Sequence, residues 1–392
     1  MAEKKMEKVT KSVTGKEIGG SADRFWNPRF WDGMTLSAWT KALWSGSFRM
    51  APSRVAMSGL IYGLGVVNSS FALASHIFRG GRVRRTQLVE DPIFVIGHWR
   101  SGTTLLHEYM IRDERFTFSD TYTCFAPSHF LVSGPFFRPW VACLMPKARP
   151  MDNMAAGLDR PQEDEFALCA FGLPSPYREI LFPNAGRIDE DYLTLRNISD
   201  SARKKWLDTF EYFLKELTVA NNKTIILKSP PHTARIKAIL ERFPNARFVH
   251  IHRDPYTLFP STCTLWMKLA AVHGVQHPKG KGLEEKVYSD FEHMYNAFAA
   301  DLPLLKEHQL VEVGYTDLVR NPVETLEKIY SGLNLTDFES VRATFANYAE
   351  SQRSYKKNKF RISPETVDTI SNRWKWYLTR YGYSAPALSE LE

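Results

Sequence analysis

The sequence PIFVIGHWRSGTT, residues 92–104, carries the strongest structural signal in the chain. Its first half is an apolar run typical of a buried strand, and its second half is a Gly-, Ser- and Thr-rich turn that leads into a helix. In such a unit, backbone N–H groups and the positive end of the helix converge on one point, where Ser101, Thr103 and Thr104 add hydroxyl donors. The stretch therefore predicts a binding site for a phosphate or a sulfate.

The spacing of the two glycines narrows the chemistry of this site. Gly97 and Gly102 stand as the glycines do in the nucleoside triphosphate loop G-x-x-x-x-G-K-[ST], but Thr103 occupies the position of the lysine. Arg100 supplies a cation three residues earlier. The missing lysine makes a P-loop kinase or nucleotide-binding protein the less favoured alternative.

The composition is that of a large folded protein with a modest positive charge. The chain has 392 residues, is 44% apolar and carries a formal net charge of +8. A chain of this length can bury a large core as one domain with extensions. Its modest positive charge suits an anionic cofactor or a membrane surface, and no nucleic-acid partner is expected.

The cysteines and the N-terminal residues indicate the compartment. Cys124, Cys143, Cys169 and Cys263 form no C-x-x-C pair, so neither a disulfide framework nor a metal site is expected. Residues 1–24 are predicted to be a flexible polar tail, and its Lys-rich first part lacks the apolar core of a signal peptide. We therefore expect a cytoplasmic protein.

Residues 25–88 are predicted to form a helical, aromatic-rich extension. Residues 55–78 contain no Asp, Glu, Lys or Arg and are long enough to span a bilayer, but polar residues such as Asn68 and His76 make a span the least favoured interpretation. Neighbouring aromatic residues and arginines favour an interfacial anchor, with peripheral membrane contact through residues 25–85. A helical hairpin packed on the main domain is equally open.

Residues 89–392 are predicted to form a single α/β domain. The expected architecture is a P-loop-like, three-layer α/β/α fold with a central parallel sheet, because short apolar runs alternate with amphipathic stretches. Residues 127–150 are predicted to be a long functional loop or an insertion. The predicted strands are 93–96, 224–227, 248–251 and 310–313, and predicted helices begin near Thr103, Thr233, Tyr256 and Pro322.

A second basic motif follows the strand predicted at 248–251. Arg253 leaves the end of this strand, and Ser261 lies eight positions later, about two helical turns, so both can face one pocket. A guanidinium and a hydroxyl suit a second phosphate. An Arg-Asp-Pro turn on its own is more often a surface salt bridge and a helix start. The motif therefore indicates a phosphate site only in combination with the first motif at 97–104.

Together the two motifs resemble those of the sulfotransferases that use 3′-phosphoadenosine 5′-phosphosulfate (PAPS), over roughly residues 91–333. The resemblance implies PAPS as the sulfuryl donor, 3′,5′-bisphosphoadenosine as the product and no metal. The Arg-Ser-Gly-Thr-Thr loop is more similar to the tyrosylprotein and broad bacterial branches than to the many cytosolic members with a lysine in this loop.

The resemblance also assigns residues to the two ends of the donor. It implies that the 5′-phosphosulfate is held by Arg100, Ser101, Gly102, Thr103 and Thr104, and the 3′-phosphate by Arg253 and Ser261. In this family a late basic loop closes over the 3′-phosphate, which makes Lys356 and Lys357 further candidates. The usual Arg-Lys-Gly signature is absent from that loop, and a solvated charge run is its ordinary explanation.

The catalytic candidates are Lys228, Arg100 and a general base. Lys228 ends the strand predicted at 224–227, and the resemblance to the tyrosylprotein branch implies that such a lysine stabilises the sulfuryl group and the leaving oxygen. Three residues compete as the base. His129 has a suitable ordinary pKa, Asp120 lies nearby in sequence, and Glu163 is predicted to lie on the inward face of a helix, although acids near Pro161 also suit an ordinary helix start.

The function expected from these residues is transfer of a sulfuryl group from PAPS to a hydroxyl of an acceptor, in line and with a general base. The apolar, aromatic N-terminal region favours a small-molecule or lipid acceptor. A glycan or protein acceptor stays open, as does a non-catalytic membrane-associated binding protein. The sequence does not predict the oligomeric state.

Overall fold

The computed structural model describes residues 28–144, 157–352 and 362–386. As far as β3, the elements are α1 (Leu36–Ser45), α2 (Val55–Arg85), β1 (Ile93–Ile96), α3 (Thr103–Met110), β2 (Phe116–Phe118), α4 (Thr121–Phe125), α5 (Phe130–Leu144), α6 (Asp164–Ala170), α7 (Asp200–Ala220) and β3 (Thr224–Lys228). After β3 follow α8 (Ile236–Arg242), β4 (Arg247–His252), α9 (Pro255–His273), α10 (Leu283–Asp301), β5 (Leu310–Gly314), α11 (Tyr315–Arg320), α12 (Pro322–Gly332), α13 (Phe338–Gln352), α14 (Pro364–Arg373) and α15 (Lys375–Tyr381). Short 3-10 segments cover Pro52–Arg54, Pro176–Ile180, Glu190–Leu193, Pro230–Ala234 and Leu302–Leu304.

The strands form one parallel sheet in the order β2-β3-β1-β4-β5. Ile93 of β1 lies opposite Ile226 of β3 on one side and Arg247 of β4 on the other, so β1 is central. Every residue of β1 is buried, as expected for a strand covered on both faces. The predicted central parallel sheet is confirmed.

Helices cover both faces of the sheet. Alternate residues of β1 point to opposite sides: Phe94 and Ile96 belong to one buried cluster, and Ile93 and Val95 to another. The first cluster includes side chains of α7, α9 and α10, and the second includes side chains of α3, α12 and α13. The arrangement is the predicted three-layer α/β/α fold.

The strand order creates a crevice between β1 and β4. The chain leaves β1 through α3 toward β2 at one edge of the sheet, and it leaves β4 through α9 and α10 toward β5 at the other edge. Ligands of open parallel sheets bind where two such connections diverge, outside the carboxyl ends of the strands. The loops after β1 and β4 therefore flank the expected ligand site.

The N-terminal extension is helical, as predicted, and packs on the domain. Trp31 and Trp39 are fully buried, and the indole N–H of Trp31 donates to the carbonyl oxygen of His273 at 2.8 Å. α2 packs against α1, α5 and α7. Among the described residues, one helical stretch, Pro52–Arg85, is long and apolar enough to cross a membrane, and 28% of its most apolar window is buried.

Three details of the structure differ from the sequence predictions. The loop predicted at 127–150 is wrong in its first part, because Phe130–Leu144 is a helix that accommodates Pro135 and Pro139. The helix predicted from Thr233 begins at Ile236, after a 3-10 turn that two prolines impose. Strand β2 was not predicted, since three residues give no periodic signal. The proposed tail at 1–24 lies outside the described residues.

Candidate active site

The loop between β1 and α3 bends tightly and requires glycine at two positions. The φ angles of Gly97, Arg100 and Gly102 are 144°, 70° and 111°. A Cβ atom on Gly102 would lie 2.4 Å from Cδ2 of Tyr315, and one on Gly97 would lie 2.5 Å from the carbonyl oxygen of Ile251. A side chain at either position would displace its neighbours, so packing fixes the path of this loop.

This loop provides what an oxyanion requires. α3 begins at Thr103, directly after the loop, so the N–H groups of its first turn are available to a ligand. Ser101 is fully buried, and its hydroxyl has no hydrogen-bond partner among the described residues. A buried hydroxyl without a partner costs about 1–3 kcal/mol of stability. An oxygen of a bound phosphate or sulfate would accept a hydrogen bond from the Ser101 hydroxyl and remove this cost. The loop residues fit the phosphosulfate end of PAPS.

The structure brings the second basic motif against this loop. Nη1 of Arg253 donates to the carbonyl oxygen of Arg100 at 3.0 Å, and Nε of Arg100 donates to Oγ of Ser261 at 3.0 Å. Ser261 lies in α9, whose first turn is capped by the carboxylate of Asp254. Two guanidinium groups and a hydroxyl thus meet at the crevice between β1 and β4, where a doubly anionic ligand would be favoured.

Residues far away in sequence fix the position of Arg253. The backbone N–H of Arg253 donates to the hydroxyl of Tyr377 in α15, and that hydroxyl donates back to the carbonyl oxygen of Arg253, both at 3.0 Å. The guanidinium carbon lies 4.4 Å from the centre of the Tyr315 ring. Sequence reasoning missed both tyrosines, because no local pattern links residue 377 to residue 253.

Lys228 is buried at the end of β3 and pairs with Glu163. Its Nζ atom lies 2.7 Å from Oε1 of Glu163, and its side chain is 1% exposed. The prediction that Glu163 lies within a helix is wrong. Glu163 is the residue that precedes α6, and its backbone angles are extended. From this position the carboxylate makes no cap hydrogen bond to α6 and instead reaches Lys228 at the end of β3. Pro161 and the acidic residues after it are typical of a helix start.

A chain of hydrogen bonds connects Glu163 to the loop after β1. The hydroxyl of Tyr177 donates to Oε2 of Glu163, and Nε1 of Trp99 donates to the same hydroxyl at 2.8 Å. Burial and the neighbouring carboxylate of Glu163 raise the pKa of Tyr177 well above its usual value, so the hydroxyl stays protonated. Trp99 and Tyr177 were not predicted from the sequence, and both orient the carboxylate of Glu163.

The two acidic residues after Glu163 secure the segment that follows Lys228. Asp164 accepts a hydrogen bond from Ser229 at 2.9 Å and pairs with His232 at 2.6 Å. Burial raises the pKa of Asp164, but the His232 imidazole and the Ser229 hydroxyl outweigh it, so the net pKa is lowered. Glu165 pairs with the buried guanidinium of Arg235. Both acidic residues at the start of α6 are thus bonded to the segment after β3. These bonds hold Glu163 next to Lys228.

His129 is placed against the N-terminal extension. Its Nδ1 atom is hydrogen-bonded to Oγ of Ser133 at 2.8 Å, and its ring centre is 5.8 Å from that of Phe71 in α2. Burial lowers the pKa of His129 to about 4, which makes the imidazole a weak base. These surroundings favour a packing role.

Asp120 has structural partners of its own. Its carboxylate accepts a hydrogen bond from the backbone N–H of Thr123 at 2.7 Å, which caps α4, and it pairs with Arg138 of α5 at 2.6 Å. Burial raises the pKa of Asp120, while Arg138 opposes this. The geometry therefore favours Glu163 over Asp120 and His129 as the group next to Lys228.

The remaining site predictions have no structural description. Lys356 and Lys357 lie outside the described residues. Within the described residues, no cluster of three or more His, Cys, Asp or Glu side chains suited to a metal ion was found.

Comparison with known proteins identifies the family. The family model described as "Sulfotransferase family" matches residues 92–340, from the start of β1 into α13. The chain belongs to the sulfotransferase family. It is 39% identical, over 92% of both chains, to the proteins named omega-hydroxy-beta-dihydromenaquinone-9 sulfotransferase Stf3 of Mycobacterium bovis and Mycobacterium tuberculosis.

Solved structures support the fold. Sulfotransferase STF9 from Mycobacterium avium superimposes with a TM-score of 0.65 at 18% identity and covers 90% of this chain and 98% of its own. Sulfotransferase STF1 from Mycobacterium tuberculosis gives a TM-score of 0.59 at 18% identity, covering 95% of this chain and 98% of its own. The α/β/α architecture is thus that of bacterial sulfotransferases.

Proposed function

We propose that this sulfotransferase moves a sulfuryl group from PAPS to a hydroxyl of a lipophilic, menaquinone-like acceptor. The observation that carries the proposal is the pair of buried Lys228 and partly exposed Glu163, linked through Tyr177 and Trp99 to the loop after β1, because it places a cation and a base together at the carboxyl ends of the strands. The mycobacterial Stf3 proteins, named for a hydroxylated dihydromenaquinone, support the acceptor class.

The residues of the crevice would hold the two ends of the donor. The loop of Arg100, Ser101 and Thr103 suits the phosphosulfate, since it combines a guanidinium, a buried unsatisfied hydroxyl and the start of α3. Arg253 and Ser261, which contact Arg100 from the loop after β4 and from α9, would hold the 3′-phosphate, as the resemblance of their motif implies. Bound there, PAPS supplies the sulfuryl group, whose bond to the 5′-phosphate breaks as the acceptor oxygen bonds to sulfur.

Glu163 and Lys228 would then have separate roles in the transfer, one as the base and the other as a stabilising cation. Glu163 accepts the proton of the acceptor hydroxyl, which makes the oxygen nucleophilic. Lys228 and Arg100 stabilise negative charge on the leaving phosphate oxygen, and they do so with little reorganisation because both are already fixed. Tyr177 keeps one oxygen of Glu163 occupied, so the other oxygen faces Lys228 and the reacting groups.

We further propose a cytoplasmic enzyme that meets its acceptor at a membrane surface through residues 25–85. All four cysteines are described and free, in keeping with a reducing compartment. A menaquinone-like acceptor would itself reside in a bilayer.

A labelling experiment tests the activity. Incubation with ³⁵S-labelled PAPS should give a labelled product that extracts into organic solvent when a menaquinone-containing lipid extract is the acceptor. Label confined to polysaccharide or protein would contradict the lipid acceptor. In thermal unfolding, 3′,5′-bisphosphoadenosine should raise the melting temperature, and ATP with Mg²⁺ should raise it less; the reverse order would contradict PAPS as the donor.

The rigid loop gives a separate prediction. Gly102→Ala should weaken binding of 3′,5′-bisphosphoadenosine by roughly tenfold or more, because the methyl group would collide with Tyr315 and shift the loop. Gly186→Ala is the matched control, since Gly186 also has a positive φ, 84°, but has nothing within 4 Å of an added Cβ. Titration calorimetry on both variants decides the matter, and unchanged affinity in Gly102→Ala would count against the loop as the phosphate site.

A further inference from the structure

Helix α2 differs from an ordinary surface helix because its outward face carries large apolar side chains. The face that packs on the protein is mixed, with the apolar Met57, Ile61 and Val83 beside the small or polar Ser58, Gly65, Asn68 and Ser75. The face toward solvent carries Val66, Leu73, Ile77 and Phe78, which are between 55% and 76% exposed. A surface helix usually buries its apolar side, so this outward face calls for an apolar environment.

A second helix extends the same surface. α5 exposes Phe136 at 67% and Trp140 at 74%. It packs against α2, and the rings of Phe71 in α2 and Phe137 in α5 meet edge to face with centres 5.3 Å apart. The outward side chains of the two helices therefore form one surface, which we name the α2–α5 apolar face: Val66, Leu73, Ile77, Phe78, Phe136 and Trp140.

The charges around this face identify its partner. α2 contains no acidic residue, and the arginines that end it, Arg79, Arg82, Arg84 and Arg85, are all exposed. A cationic cluster next to an exposed apolar surface with a tryptophan matches the interface of a bilayer that contains anionic lipids, with the arginines at the headgroups and the aromatic rings below them.

We propose that the α2–α5 apolar face binds side-on to the surface of an anionic lipid bilayer. α2 does not leave the protein to span the bilayer, because its inner face is bonded to the chain around α1. Nδ2 of Asn68 donates to the carbonyl oxygens of Asp32 at 2.7 Å and Met34 at 3.0 Å, and Oγ of Ser69 accepts from the N–H of Leu36 at 3.0 Å. Inserting the whole helix into hydrocarbon would break these bonds without replacement.

This surface is connected to the proposed base. The hydroxyl of Tyr122 in α4 is hydrogen-bonded to Ser133 in α5 at 2.8 Å, and α4 packs on α6, the helix that Glu163 precedes. A bilayer bound at α5 would thus be linked through α4 and α6 to the segment that carries Glu163. This inference deepens the membrane contact of the proposed function by naming the surface and the lipid, and its biological purpose rests on that proposed function.

Vesicle flotation with the full chain tests the proposal. We expect binding to vesicles of phosphatidylcholine and phosphatidylglycerol, and much weaker binding to phosphatidylcholine alone. The double variants Leu73→Ser/Ile77→Ser and Phe136→Ser/Trp140→Ser should each reduce the partition coefficient by roughly tenfold or more. Arg82→Gln should reduce it by about fivefold, and only on anionic vesicles. The control Leu304→Ser/Val319→Ser alters exposed apolar residues elsewhere and should bind like the native chain.

Four outcomes would overturn the proposal. The first is that the native chain does not bind vesicles, and the second is that the control loses as much binding as the face variants. The third is that the protein stays in the membrane after alkaline carbonate extraction. The fourth is that the chain self-associates without binding vesicles and that the face variants abolish this self-association. Thermal unfolding must show that the variants stay folded; if one face variant unfolds, the other decides. Failure to sulfate any lipid would contradict the proposed function and leave the vesicle result standing, so the two failures are distinguishable.

Discussion

Replacing Lys228 by methionine is expected to lower kcat by about 10³-fold, because it removes the buried cation closest to the proposed base. Methionine is similar in length and apolar, so the buried space stays filled. Binding of 3′,5′-bisphosphoadenosine should change much less, since Arg100, Arg253 and Ser261 remain in place. The expected signature is a loss in kcat with nearly unchanged product affinity, measured by steady-state kinetics and titration calorimetry.

Lys223→Met is the matched control for this experiment. Lys223 is exposed and lies just before β3, whereas Lys228 is the buried last residue of the same strand. The control should retain the native kcat. Lys228→Met leaves the Glu163 carboxylate without its cation, so thermal unfolding is recorded for both variants. A folded Lys228→Met protein with native kcat would contradict a role for this lysine in transfer.

The central strands could be predicted because they are buried on both faces. Residues 93–96, 224–227, 248–251 and 310–313 are short apolar runs, and each coincides with a strand of the sheet or all but its end residues. β2 has three residues and gives no such signal, and its place at the sheet edge depends on pairing with β3. The order β2-β3-β1-β4-β5 is likewise tertiary information, so the crevice between β1 and β4 emerged only in the structure.

The helix at 130–144 shows how local rules mislead. Two prolines and a glycine within 15 residues favour a loop on propensity alone. α5 nevertheless forms, with Tyr122 bonded to Ser133 and Phe71 packed on Phe137. Tertiary contacts outweigh the propensity here. Because this segment is a helix and not a loop, Phe136 and Trp140 are held on one side of it. They can therefore belong to the α2–α5 apolar face.

Some residues of the candidate site could also be predicted from the sequence, and others could not. Arg100, Arg253 and Ser261 could be placed together because each follows a predicted strand end, where ligands of parallel sheets bind. The base could not be chosen, since the sequence gave Glu163 and His129 similar weight and left Asp120 as a rival. Glu163 is distinguished by two partners that are remote in sequence, Tyr177 and Lys228. Which carboxylate faces a lysine 65 positions away is decided by packing and not by any local pattern.

Glu163→Gln should lower kcat by between about 10² and 10⁴-fold, the range expected for loss of a general base. The amide is nearly isosteric, and its oxygen can still accept from Tyr177 or Lys228, so the fold should survive. Tyr177→Phe leaves the carboxylate but removes the hydroxyl that orients it. We expect a smaller loss there, of about tenfold.

The two other candidate bases provide the decisive comparison. His129→Ala should lower the melting temperature, because the ring packs on Phe71, and Asp120→Asn should weaken the cap of α4 and the bond to Arg138. Neither should alter kcat in the folded enzyme, since both side chains are engaged away from Lys228. A loss of kcat in either variant that equals the loss in Glu163→Gln, with a normal melting temperature, would transfer the role of base to that residue. The Lys228→Met/Glu163→Gln double variant should then lose no more than the worse single variant, because the two side chains are expected to act as one unit.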